Sequence, residues 1–190
     1  MKHLSDQELM RIVQDGNLTP AGEIFDRYSA RIYNFAYRFL KSGEAAEDAT
    51  QEVFVKMIRY AKQFHGDAKL STWLFSITAN HCRDQLRKAD NRTKESEETL
   101  LTLPATGDAP DRAMEKKQNQ IRVQKALELL TPEQREAIIL SRYQGLSYAE
   151  IAQIAGCSEG AVKTRVFRAM ETLKKALAGD AGGERCLTAM

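Results

Sequence analysis

The cationic and polar side chains of residues 158–168 are the part of this sequence best suited to binding nucleic acid. A helical step of about 100° per residue places Thr164 and Arg168 on the side opposite the apolar Val162. Arginine and lysine on such a side can reach guanine edges and phosphates in a DNA major groove. The candidate DNA-contacting residues on this helix are therefore Lys163, Thr164, Arg165, Phe167 and Arg168, and Ser158 at its start is a further candidate.

The residues before this segment carry the start and stop signals of a helix-turn-helix. Ser147 and Glu150 have the spacing of a capping box, in which each side chain bonds to the backbone N–H of the other residue. Gly156 can end the short helix that follows, and Ser158 can begin the next one. Two helices joined by a short turn with glycine are typical of this motif. In the second helix the predicted buried residues are Val162, Val166, Met170, Leu173 and Leu177.

Charge is divided into blocks in the N-terminal half of the chain. Residues 44–52 hold four acids and no base, and residues 81–94 hold five bases against two acids. An acidic helix suits docking onto a basic protein surface, where charge contributes orientation and association rate. In the basic block, Arg83 and Arg87 suit phosphates. Directly before it, the Asn80 amide can both donate a hydrogen bond to a base edge and accept one from it.

Apolar spacing predicts three or four helices in residues 1–88. Thr19 and Pro20 predict a capped helix start, and a further helix is expected at about 44–62. The last helix follows the loop FHGDAKL and carries Trp73, the only tryptophan. Its spacing with neighbouring apolar residues predicts a side chain that is partly buried, with an exposed edge.

Residues 89–113 are predicted to be a flexible linker between two helical lobes. They include the acidic stretch ESEETLLTLPATGDAPDR, which contains two of the four prolines and shows no helical period. A run of about 25 extended residues could reach roughly 80 Å. The tail, residues 179–190, is predicted to be disordered.

Composition excludes several classes of protein. The 190 residues carry a net charge of only +2, which argues against a protein that coats nucleic acid through bulk charge. The three cysteines are far apart without a CxxC pair, so we expect no disulfide, no metal site and no cofactor. The sequence shows no nucleophile–base or phosphate-loop motif, which disfavours an enzyme. No apolar run approaches the ~20 residues of a membrane span, and we expect a cytoplasmic protein.

Three stretches of the sequence resemble the sigma factors of bacterial RNA polymerase, especially the small extracytoplasmic-function (ECF) group. The segment GLSYAEIAQIAGCSEGAVKTRVFRAMETLKK looks like their domain that binds the promoter −35 element. The segment AEDATQEVFVKM is similar to the AEDxxQExF signature that binds the polymerase clamp. The segment STWLFSITANHCRDQLRK is similar to the STWLxxIxxNxxxDxxR stretch that opens and reads the −10 element.

The resemblance implies an all-α fold with two small helical domains. A three- or four-helix domain similar to sigma region 2 would occupy residues 1–88, and a helix-turn-helix domain similar to region 4 would occupy residues 114–178. The implied polymerase-binding residues are Asp48, Gln51, Glu52 and Phe54, and the −35 residues are the six candidates between 158 and 168. The implied −10 residues are His65, Gly66, Leu70, Trp73, Asn80, Arg83, Arg87 and Lys88.

The partners implied by the resemblance are core RNA polymerase and promoter DNA, and many such factors are also held by an anti-sigma protein. A helix-turn-helix regulator with a helical sensor domain is the alternative, and it would bind DNA tightly without polymerase. Phe54 is equally compatible with a place in the core. Family members often carry Ile-Ala-Arg-Asn where this chain has Ile77-Thr78-Ala79-Asn80, so the promoter bases stay open.

Overall fold

The structure is a computed structural model that describes residues 4–95 and 121–177. The regular elements assigned within these ranges are all helical, which confirms the expected all-α fold of two lobes. The N-terminal lobe contains α1 (Asp6–Gln14), α2 (Thr19–Leu40), α3 (Gly43–Arg59), a 3-10 turn (Ala61–Gln63) and α4 (Leu70–Glu95). The C-terminal lobe contains α5 (residues 121–128), α6 (Pro132–Ile138), a π-helical turn (Ile139–Tyr143), α7 (Tyr148–Ala155) and α8 (Glu159–Leu177).

The start of α2 differs in detail from the prediction. Thr19 already lies inside the helix, and the N-cap position is Leu18, which makes no side-chain capping bond. Asn17 satisfies the exposed backbone instead, because its Oδ1 accepts from the Thr19 N–H at 3.0 Å. At the other end of α2, Lys41 has a left-handed φ of 66°. The chain therefore turns at once into α3.

Helix α4 continues into the segment predicted to be linker. It runs to Glu95, seven residues beyond the predicted boundary at Lys88. Residues 89–95 contain neither glycine nor proline, so nothing in their sequence ends the helix at 88. The remaining part of the predicted linker, residues 96–113, and the predicted tail, residues 179–190, lie outside the described residues.

Local capping interactions and a glycine turn delimit the helices of the C-terminal lobe. A capping box between Thr131 and Gln134 begins α6, and Gly145 adopts a positive φ of 67° at the break after the π-helical turn. In α8 the buried side differs slightly from the predicted stripe. Ala169 is fully buried, whereas Met170 is only partly buried.

The two lobes pack against each other. Helix α4 packs on α7, and α2 packs on the π-helical turn and on α6. A single cluster of buried side chains includes Phe35, Phe39 and Phe75 from the N-terminal lobe and Leu127, Ile138 and Ile151 from the C-terminal lobe. A second cluster, with Leu9, Ile24 and Met57, belongs to the N-terminal lobe alone. Within the described residues, the apolar core of the C-terminal lobe is thus continuous with that of its neighbour.

Arg135 is a buried side chain that forms hydrogen bonds to both lobes. It is only 6% exposed, and its guanidinium donates to the backbone carbonyls of Leu127, Leu130 and Glu128, at the end of α5 and just after it. It also donates to the carbonyl of Phe39, near the end of α2, at 3.1 Å. Carbonyls at a helix end lack the i+4 N–H partner that interior carbonyls have, so one cation stabilises two helix ends. Burial lowers the pKa of Arg135.

Arg31 and Gln144 make a second polar contact between the lobes. Arg31 donates to the side-chain and backbone oxygens of Gln144, and the Gln144 amide donates back to the Arg31 carbonyl at 3.3 Å.

No helix in the described residues is long and apolar enough to cross a lipid bilayer.

Candidate nucleic-acid interface

The predicted helix-turn-helix is formed by α7, a three-residue turn and α8. The capping box is present at Ser147, whose N–H donates to Glu150 at 2.8 Å. Gly156 ends α7 in a left-handed conformation with φ 61°. At the start of α8, the Ser158 hydroxyl accepts from the Ala161 N–H at 3.2 Å. Local hydrogen bonds therefore set both the length of the turn and the direction of α8.

Helix α8 presents one exposed face with mixed chemistry. Its opposite face, which includes Val162 and Val166, is buried. Arg165 is half-buried, and its Nη1 lies 3.5 Å from the sulfur of Cys157. The predicted −35 residues that are exposed are Ser158, Lys163, Thr164, Phe167 and Arg168. The structure thus brings five of the six candidates to the solvent-exposed surface.

Phe167 is the unusual member of this face. Its side chain is 63% exposed and lies in sequence between Arg165 and Arg168. Exposure of an apolar aromatic ring to water is unfavourable. In helices that read the DNA major groove, apolar groups contact the thymine methyl group. The face can therefore offer cations to guanine or phosphate and an apolar surface to thymine.

Helix α3 presents an exposed face of a different kind. Asp48 and Gln51 are exposed, and Glu52 is half-buried with its Oε1 3.6 Å from the Lys56 ammonium. Val55 continues the same face at helical spacing and is 46% exposed. Ile58, one residue short of the end of α3, is 40% exposed. These two apolar residues were not predicted, although the helical positions i+7 and i+10 from Asp48 are Val55 and Ile58.

Phe54 is not part of that exposed face. Its side chain is only 7% exposed and packs on Phe25, with ring centroids 4.7 Å apart. It shares the buried side of α3 with Val53 and Met57. The prediction of Phe54 as a direct polymerase contact is therefore corrected. Its side chain lies in the core and packs beneath the exposed face of α3.

An open groove between α3 and α4 lies beside the acidic residues. His81 and Gln85 of α4 line it together with Asp48 and Gln51 of α3. Burial and the neighbouring Lys56 lower the pKa of His81, so the imidazole carries less positive charge than an exposed histidine would. His81 and Gln85 were not identified from the sequence. Their i, i+4 spacing on α4 does not by itself indicate a groove.

The predicted −10 residues divide into exposed and enclosed groups. Leu70 is 1% exposed and belongs to the core, so its side chain cannot contact DNA, which corrects that prediction. Trp73 is partly buried, as expected, and packs on Phe64 with ring centroids 5.4 Å apart. Gly66 is half-buried in the loop with a positive φ of 83°. The exposed residues are His65, Asn80, Arg87 and Lys88, and Arg87 pairs with Asp84 at 3.0 Å.

Arg83 differs from its neighbours because it faces the other lobe. Its Nε lies 3.2 Å from Glu136 Oε2, and its Nη2 donates to the Ile154 carbonyl at 3.0 Å.

Among the described residues, no cluster of histidine, cysteine or acidic side chains could hold a metal ion.

The chain is similar to known proteins over most of its length. The chain matches the family descriptions "Sigma-70 region 2" at residues 24–92 and "Sigma-70, region 4" at residues 120–173. It is 32% identical over 180 residues to the RNA polymerase sigma-H factor of Pseudomonas aeruginosa, covering 90% of this chain and 93% of that protein. It is 31% identical over 180 residues to the ECF RNA polymerase sigma-E factor of Escherichia coli K12, covering 90% and 94%.

One solved structure, the sigma factor RpoE of Bartonella quintana in complex with the anti-sigma factor NepR, has a TM-score of 0.68 and 30% identity to this chain. The match covers 84% of this chain and 97% of that one. Both family regions fall on the lobes that carry the faces described above. The chain therefore belongs to the ECF group of the sigma-70 family of RNA polymerase sigma factors.

Proposed function

We propose that this sigma factor joins core RNA polymerase through the exposed face of α3 and reads promoter DNA with α4 and α8. The observation that carries the proposal is the separation of two exposed faces with different chemistry, acidic and apolar on α3 and cationic on α8. The chain is then a specificity subunit and not an enzyme. Polymerase and promoter DNA are in the cytoplasm, so that is the compartment in which it acts.

The α3 face suits a basic partner that also has apolar side chains. Asp48 and Glu52 supply charge that orients the encounter and raises its rate. Val55 and Ile58 supply apolar area that becomes buried on docking, which is where most interface energy arises. Phe54 contributes indirectly, because its contact with Phe25 holds α3 against α2.

The two DNA elements are assigned to different helices. At −35, Lys163 and Arg168 would contact guanine or phosphate, and Phe167 would contact a thymine methyl group. At −10, the Asn80 amide suits a base edge in the opened strand, and Lys88 suits a phosphate. The remaining candidates are Ser158, Thr164 and Arg165 at −35, and His65, Gly66, Trp73, Arg83 and Arg87 at −10.

An anti-sigma protein is a further proposed partner. The support is the solved neighbour RpoE, which is bound to the anti-sigma factor NepR. Any such partner would stop transcription by covering the α3 face or by holding the lobes together. A helix-turn-helix regulator that acts without polymerase accounts only for the region 4 match and leaves residues 24–92 unexplained.

Run-off transcription with core polymerase tests the proposal. Asp48→Arg reverses a charge at the exposed polymerase-binding face and should lower transcript yield by about tenfold or more, the scale of an interface hot spot. Asp15→Arg is the matched control, since Asp15 is an exposed acid that follows α1 and is not part of the α3 face. Unchanged transcription with Asp48→Arg, or tight promoter-specific binding by the chain without polymerase, would contradict the proposed function.

A further inference from the structure

Arg83 lies on the helix assigned to −10 DNA, but in this structure its guanidinium is bound by the other lobe. Glu136 of α6 places Oε2 3.2 Å from Arg83 Nε, and the Ile154 carbonyl at the end of α7 accepts from Nη2 at 3.0 Å. A carboxylate and a carbonyl oxygen thus hold the donors that a DNA phosphate would otherwise meet.

Glu136 is an unusual residue to find at this place. Its side chain is 6% exposed, and its Oε1 has no hydrogen-bond partner among the described residues. A buried carboxylate is costly unless an opposite charge compensates it. The Glu136–Arg83 contact is an ion pair without an aligned hydrogen bond at Nε, so the compensation is electrostatic. Loss of Arg83 would leave Glu136 with only the weaker attraction of Arg165, unless the lobes separate and water reaches the carboxylate.

A second set of contacts covers the first turn of the same helix. Glu150 of α7 accepts from the Lys69 ammonium at 3.0 Å and from the Thr72 hydroxyl at 3.4 Å. Lys69 and Thr72 flank the start of α4, beside the loop assigned to −10 recognition. Two acids of the helix-turn-helix lobe therefore hold α4 at sites more than two helical turns apart, and α7 packs on α4 between them.

We propose that Glu136 acts as an internal substitute for a DNA phosphate at Arg83 and thereby latches the helix-turn-helix lobe over the −10 surface of the free chain. We call the Arg83–Glu136 pair the latch. The inference rests on the proposed function, because that function assigns α4 to DNA. The free chain is then self-inhibited at its −10 surface. Its apparent affinity for single-stranded DNA is its intrinsic affinity reduced by the small fraction of open molecules.

Two measurements on the full-length chain test the latch. The first is the affinity for a short fluorescein-labelled single-stranded DNA of random sequence, followed by anisotropy without polymerase. The second is zero-length carbodiimide coupling of Lys69 to Glu150, which forms an amide only while the lobes are closed. Glu136→Gln keeps the size of the side chain and removes its charge. Glu171→Gln makes the same change at an exposed position of α8 and controls for net charge.

The expected result is that Glu136→Gln binds the probe about tenfold more tightly than the wild type, with a matching loss of the Lys69–Glu150 crosslink. Glu171→Gln should leave both values near those of the wild type. In an Arg83→Ala background, Glu136→Gln should no longer raise the affinity, because the two residues act through one contact. If Glu136→Gln fails to fold, Gln144→Ala opens the lobes from the α2 side and should produce the same rise.

The latch is overturned if Glu136→Gln binds DNA no more tightly than Glu171→Gln. It is also overturned if the crosslink is lost without a gain in affinity, since the closed arrangement would then cover no DNA-binding surface. Run-off transcription by the wild type with core polymerase is independent of both results. A negative result in the latch experiments therefore does not contradict the sigma-factor function. A negative run-off assay would contradict that function independently of the latch.

Discussion

The carboxylate of Glu150 caps the start of α7 and also forms an ion pair with the other lobe. Its carboxylate accepts from the backbone N–H and the hydroxyl of Ser147, both at 2.8 Å, and so begins α7. The same carboxylate pairs with Lys69 across the lobes. The hydrogen bonds from Ser147 and the ion pair with Lys69 lower its pKa to about 2.

Replacing this carboxylate should reveal a pH-dependent contribution to stability. The pKa of Glu150 in the folded chain lies below its ordinary value of 4.5. Its contribution is therefore complete above about 4.5 and is lost as the pH falls towards about 2. Gln can keep the capping box, as Gln134 does in α6, but it loses the charge that pairs with Lys69. Glu150→Gln should therefore lower the free energy of unfolding near neutral pH by about 0.5 kcal/mol, the scale of an exposed ion pair. Urea unfolding at a series of pH values measures the difference.

The control for this prediction is Glu171→Gln, which removes an exposed carboxylate of the same lobe. That variant should match the wild type at every pH. A Glu150→Gln penalty that stays constant between about pH 5 and pH 3 would show that the carboxylate is not the source of the stabilisation.

Capping residues were predictable because their partners lie within three residues along the chain. Ser147 and Glu150 form the capping box that the sequence indicates. The contact of Glu150 with Lys69 was not predictable, because its partner is distant in sequence and belongs to the other lobe. The same limit applies to Arg83, whose type indicated a phosphate contact and whose observed partner is Glu136.

At the scale of elements, α3 separates two roles by its two faces. Val53, Phe54 and Met57 are buried and hold the helix in the lobe. Val55 is 46% exposed on the face that also carries Asp48. Apolar spacing predicted the helix, and the charge of residues 44–52 together with the family resemblance predicted its acidic face. It could not decide the side of Phe54, because that residue lies at the edge between the apolar and polar sides.

Val55→Glu tests whether the apolar part of the α3 face contributes to polymerase binding. Because Val55 is half exposed, we expect the folded chain to keep its unfolding midpoint. Affinity for core polymerase, measured by interferometry, should fall by about tenfold. Leu18→Glu is the control, since Leu18 is 52% exposed and precedes α2. Equal losses for both variants would indicate nonspecific effects of an added acid and would contradict the role of Val55.

At the scale of the whole molecule, the closed arrangement is incompatible with simultaneous contact to both promoter elements. Elements two helical turns apart are separated by about 70 Å of DNA. Here α4 and α7 are in contact. Opening exposes side chains such as Phe75 and Ile151 from the shared cluster. Under the proposed function, polymerase would therefore hold the lobes in new positions. The net charge of +2 predicts that the chain alone binds DNA weakly.

The shared cluster also predicts how the free chain unfolds. Because Phe39 and Leu127 belong to one buried cluster, loss of either lobe removes packing from the other, and unfolding should be a single cooperative transition. Trp73 is the only tryptophan and reports on the N-terminal lobe, whereas far-ultraviolet circular dichroism reports on helices of both lobes. In urea the two signals should share one midpoint. Loss of helix before the change in Trp73 fluorescence would show that the C-terminal lobe unfolds first and that the interface stabilises it only weakly.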